Sequence, residues 1–112
     1  MSLNEFYRVA ESYPAGSDEY NEVFETMVRL YPDDATANLN ASNVAMSRGD
    51  LVSARKYVAK AGGTPEAVYA RGVLAGLDKD YVQARRLLSQ AQSMGVKEAA
   101  DALEQINKID KK

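Results

Sequence analysis

The chain contains no cysteine and no histidine. Their absence removes disulfides, thiolate nucleophiles, the common zinc sites and every acid–base or triad scheme built on imidazole. Carboxylate and lysine chemistry stay open, but no nucleophile stands beside a base and no glycine-rich loop is spaced to cradle phosphate. The expectation is a protein that is not an enzyme, with no catalytic residues, no cofactor and no metal site. No apolar run approaches the ~20 residues that a membrane helix needs, and no basic segment followed by an apolar one opens the chain. Direct membrane insertion is therefore not expected. The net charge is -2, which gives no basic field to recruit nucleic acid. The lysines and arginines that do cluster have no row of interleaved aromatics, only Tyr57 between Lys56 and Lys60, so no nucleic-acid partner is expected.

The 112 residues suffice for one domain with a modest core, and the 46% hydrophobic and 27% charged fractions are ordinary for a globular chain. A repeat carries the organisation. Gly49-Asp50-Leu51-Val52-Ser53-Ala54 recurs as Lys79-Asp80-Tyr81-Val82-Gln83-Ala84, and Ala61 recurs as Ala91, at a shift of about 30 residues. Ser42, Val44 and Ala45 pair with Gly72, Leu74 and Ala75 at the same shift. Tyr20, Phe24 and Met27 fit a partial earlier copy, lengthened by the Leu30-Tyr31-Pro32-Asp33-Asp34 connection. The pattern predicts helices over about 3–13, 18–31, 34–48, 51–62, 65–77, 80–93 and 96–108. Pro14 and Pro32 stop helices, Thr64-Pro65 caps and starts one, and the glycines at 62–63 and 95 end them. The last helix has one apolar stripe (Ala99, Ala102, Leu103, Ile106) and a charged back on which Glu104 and Lys108 form an i,i+4 pair. Alanines and glycine at recurring points (45, 54, 61, 72, 75, 84, 91) let helices cross closely.

Residues 35–61, ATANLNASNVAMSRGDLVSARKYVAKA, carry a resemblance to the tetratricopeptide repeat. Gly49-Asp50 falls at the inter-helix turn of that family, Ala54 and Ala61 at its small positions, and Pro32 at its closing proline. Gly72, Asp80-Tyr81, Ala84 and Ala91 repeat the match. The resemblance spans about residues 18–95 and implies an all-α, right-handed α-solenoid. It would comprise a divergent first repeat (1–34), a second (35–64), a third (65–95) and a capping helix with tail (96–112), as a single domain. Asn38 stands where the family often has a large aromatic, Arg71 where it has leucine, and Ala45 and Ala75 where it has tyrosine. These departures predict thinner packing within each repeat. The overall pattern also resembles repeat segments at the ends of larger bacterial envelope proteins. On that likeness the chain is a fragment on the periplasmic side of such a protein; otherwise it is cytoplasmic. Met1-Ser2-Leu3 reads as a cloning remnant ahead of a natural start near Asn4.

The family lines its concave groove with the first helix of each repeat. That places Leu39, Asn40 and Asn43, and then Tyr69 and Val73, on the groove as candidate contacts for a peptide or another protein. Asn40 and Asn43 are three apart and share a helix face. Their amides can both donate to and accept from a peptide backbone. A carboxylate clamp is not expected, because the matching positions of the next repeat are Glu66 and Ala70. The reading that competes with binding gives the asparagines to solvent and Tyr69 to packing between repeats. Arg71 is expected to run its stem along apolar surface and keep its head wet beside Glu66 or Asp78. Charge is uneven. The first 34 residues carry Glu5, Glu11, Asp18, Glu19, Glu22, Glu25, Asp33 and Asp34 against Arg8 and Arg29. Arg55, Lys56, Lys60, Arg85 and Arg86 are expected on the convex side. Arg48-Gly49-Asp50 spells a cell-adhesion tripeptide, but backbone demands at a turn account for its glycine and aspartate. The expected function is a protein-interaction scaffold. The alternative is a structural spacer or self-assembly domain that forms a homo-oligomer.

Overall fold

The computed structural model describes residues 2–110. Met1, at the head of the first repeat, and the two lysines that end the tail lie outside them. Among the described residues the chain forms seven α-helices and no strand. These are α1 (Leu3–Glu11), α2 (Asp18–Leu30), α3 (Ala35–Ser47), α4 (Leu51–Ala59), α5 (Pro65–Leu77), α6 (Tyr81–Ser93) and α7 (Glu98–Asp110). The all-α expectation and the order of its helices hold.

Side-chain caps set the starts. Ser2, Ser17, Asp34, Asp50, Thr64 and Asp80 each accept a hydrogen bond from the backbone N–H three residues on, at 2.8–3.3 Å. Each satisfies a donor that a helix end would leave unpaired, worth about 1 kcal/mol. Ser2 and Glu5 close a reciprocal capping box, and Leu3 packs on the core behind it.

One turn design explains the repeat read from sequence. After α3, Gly49 takes φ +75°; its N–H donates to the Met46 carbonyl, and the Asp50 N–H reaches back to that of Ala45 at 2.9 Å. After α5, Lys79 takes φ +65° and the same bonds run from Lys79 to Gly76 and from Asp80 to Ala75. After α6, Gly95 takes φ +100° and the bonds run to Gln92 and from Val96 to Ala91. This is the Schellman closure. At the first two sites the residue that completes it, Asp50 or Asp80, is also the cap of the next helix, so the connection is as short as the chemistry permits.

The chain divides into two compact units, Met1–Ala61 and Gly62–Lys112. In the first, Phe6, Ala10, Phe24, Met27, Val28, Ala37, Ala41 and Val44 form a buried cluster joined by half-buried Tyr7, Tyr20 and Tyr31. Tyr20 and Phe24 meet edge to face at 4.8 Å, a geometry the ring quadrupoles favour. Asn38 is 1% exposed, and its Nδ2 donates to the carbonyls of Pro32 and Asp34 at 2.9 and 2.8 Å. The residue that stands where the resembling family has an aromatic thus ties the α2–α3 connection to the helix it precedes. In the second unit Val68, Ala84, Leu88, Ala91, Ala99 and Ile106 form the core. A Cβ on Gly72 would lie 2.8 Å from Leu88, so this glycine is what lets α5 and α6 approach.

Candidate functional site

The expected groove residues divide between the units. Leu39, Asn40 and Asn43 sit on α3 in the first. Tyr69 and Val73 sit on α5 in the second, half-buried against its core. Tyr69 packs on the core of its own unit, which is not the packing between repeats that was weighed against binding.

Asn40 and Asn43 come together as their spacing predicted. Both line an open cleft of about 180 Å³ whose other walls include Tyr20, Asn21, Phe24 and Ser47. Leu39 is half-buried on the same helix but is not a wall of this cleft. The cleft pairs an aromatic floor with amides. Asn43 is exposed, Asn21 is buried, and Asn40 donates from Nδ2 to the Tyr7 hydroxyl at 3.3 Å. Burial pushes the Tyr7 phenol above its ordinary value, the Asp34 carboxylate adds to that, and the Asn40 bond opposes it. At neutral pH the hydroxyl is therefore neutral and able to donate. Sequence reasoning missed Tyr20 and Asn21 as walls of this cleft. Both lie on α2, and only the packing of α2 against α3 brings them to one opening with Asn40 and Asn43.

Several charged residues pair with one another at the surface. Arg48 pairs with Glu25 at 2.7 Å, and Asp50 is occupied as a cap, so two members of the adhesion-like tripeptide have internal roles. Arg85 bonds Asn107 at 3.0 Å and pairs with Asp110, tying α6 to α7, while Lys60 approaches Asp33 at 3.7 Å. Lys108 and Glu104 form the i,i+4 pair expected of α7. Arg71 is half-buried on α5. Among the described residues no group of three or more carboxylates is gathered to hold a metal ion, and no helix is long and apolar enough to cross a membrane. No protein-family model matches the sequence, and no curated protein matches it significantly.

Proposed function

We propose that the chain is a protein-interaction scaffold built of tetratricopeptide-like helical pairs, and that the α3 cleft receives an extended segment of a peptide or partner protein. The observation that carries this reading is the cleft itself: amides of Asn40 and Asn43 stand beside Tyr20 and Phe24. Amides can pair with a peptide backbone, and the rings can take one apolar side chain. The matched Schellman turns support the repeat reading, since equivalent backbone chemistry recurs after α3 and α5.

The test is selection of peptides from a display library, followed by titration of a selected peptide. Replacing Asn40 and Asn43 together by alanine is expected to weaken binding by more than about 1 kcal/mol. Unchanged affinity would remove the cleft from the function. Light scattering over a range of concentrations tests the alternative, a self-assembling spacer. A constant mass near 12.3 kDa supports the scaffold reading, and a concentration-dependent larger species supports assembly.

A further inference from the structure

A second opening lies on the first unit, at the seam between α1 and α2. It is a cleft of about 280 Å³. Phe6, Val9 and Tyr13 form one lip, at i, i+3 and i+7 along α1 and its end. Glu19, Glu22, Val23 and Thr26 form the other, at i, i+3, i+4 and i+7 along α2. Both lips therefore run for about two turns, roughly 10 Å. The floor is apolar and only partly covered: Val9 and Val23 are half-buried and Tyr13 is 40% exposed. Two exposed carboxylates stand on one side. Arg29, which donates to Thr26, sits at the far end.

We propose that this seam docks a basic amphipathic helix of a partner protein. Such a helix would place an apolar row in the seam and its lysines or arginines against Glu19 and Glu22. A helix fits better than a strand. The α1 lip and Val23 are largely hydrocarbon and offer no backbone partners, so an extended segment would lose hydrogen bonds on that side, whereas a helix keeps its own satisfied. The basic character follows from Glu19 and Glu22, on a segment that is strongly acidic overall. A second copy of this chain is a poor occupant. Its basic helices α4 and α6 each expose one large apolar residue, Val52 and Val82, where the seam asks for a row. The proposal does not depend on the α3 cleft, which has different walls.

The probe is a fluorescein-labelled helical peptide of about fourteen residues, long enough to span the seam. It carries leucines at i, i+4 and i+7 and lysines beside them. Fluorescence polarisation and amide chemical shifts of the full chain are the readouts. The peptide is expected to saturate, with shifts centred on Val9, Tyr13, Val23 and Thr26. Glu22→Lys, at an exposed position, and Val9→Asp are each expected to weaken it by about tenfold or more, with helicity retained. A scrambled peptide of the same composition that breaks the leucine row is expected to bind at least as weakly. Equal binding of the scramble, indifference to Glu22→Lys and Val9→Asp, or shifts centred on Asn40 and Asn43 would each overturn the proposal. A concentration-dependent dimer that Val9→Asp abolishes would overturn it in favour of a second copy.

Discussion

Lys79 stands at φ +65°, where a side chain crowds the following carbonyl, while Gly49 fills the equivalent place after α3 at φ +75°. The two sites share their bonding, so they allow a direct comparison. Lys79→Gly should relieve the crowding and lose part of that gain to the greater freedom of glycine in the unfolded chain. A net stabilisation of about 0.5–1 kcal/mol is expected. Gly49→Ala should cost about 1 kcal/mol for the opposite reason. Chemical denaturation of both variants checks this, and a loss of stability in Lys79→Gly would mean the lysine side chain contributes more than its backbone costs. The aspartate that follows each turn brings a pH dependence. Bonds from the Ser53 hydroxyl and backbone N–H hold the Asp50 carboxyl below the ordinary value of 3.8, with the Lys56 charge helping. A carboxyl lowered by folding stabilises the native state above its unfolded value, and that stabilisation disappears as pH falls through the folded one. Asp50→Asn keeps a capping side chain but does not titrate. Its melting temperature should lie below that of the native chain at neutral pH and meet it as pH falls through the lowered folded value of Asp50. Parallel curves across that range would assign the cap no ionic component.

At the scale of the element, the caps made the helix starts legible. Serine, threonine and aspartate are conspicuous before a periodic run, and six of them cap as their chemistry requires. The ends were less so. Helix α4 stops at Ala59 although the apolar pattern continues to Ala61, and α7 begins at Glu98 because Val96 is bound back to Ala91. Both depend on turn hydrogen bonds that periodicity does not encode. Helix contact is where two glycines part company. A Cβ on Gly72 would meet the Leu88 side chain at 2.8 Å and the Leu88 backbone nitrogen at 3.2 Å, and the backbone cannot yield. A Cβ on Gly76 would meet the tip of Ile106 at 2.7 Å, which can rotate away. Gly72→Ala should therefore destabilise by about 1–3 kcal/mol despite better helix propensity. Gly76→Ala should stay within about 0.5 kcal/mol of neutral, because propensity offsets the small displacement. Adding Leu88→Ala to Gly72→Ala should cost about 1 kcal/mol less than the sum of the single changes, since the new methyl enters vacated space. Strict additivity would mean that the two residues do not meet as described.

At the scale of the whole molecule, the pairing of Asn40 with Asn43 was readable because residues three apart share a helix face. The remaining walls of the cleft were not, because Tyr20 and Asn21 look like any other members of an amphipathic helix until α2 is packed against α3. The burial of Asn38 was not legible for a related reason. Its burial follows from the α2–α3 connection folding over it, which no local pattern records. The separation into Met1–Ala61 and Gly62–Lys112 leads to a prediction of its own, because each unit has a buried cluster within its own bounds. Leu88 is 1% exposed at the centre of the second core. Leu88→Ala should remove about 2–5 kcal/mol there, the range for a leucine whose cavity only partly collapses. Such a loss stays local when the coupling between the units is weaker than each unit's own stability. Native-state hydrogen exchange of the full chain should then show faster exchange through α5, α6 and α7, with the protected amides of α2 and α3 changed much less. The reciprocal variant, Met27→Ala, removes a side chain that is fully buried in the first core and should reverse the pattern. If either substitution accelerates exchange equally from α1 to α7, the two cores unfold as one cooperative body, and the division in structure has no counterpart in stability.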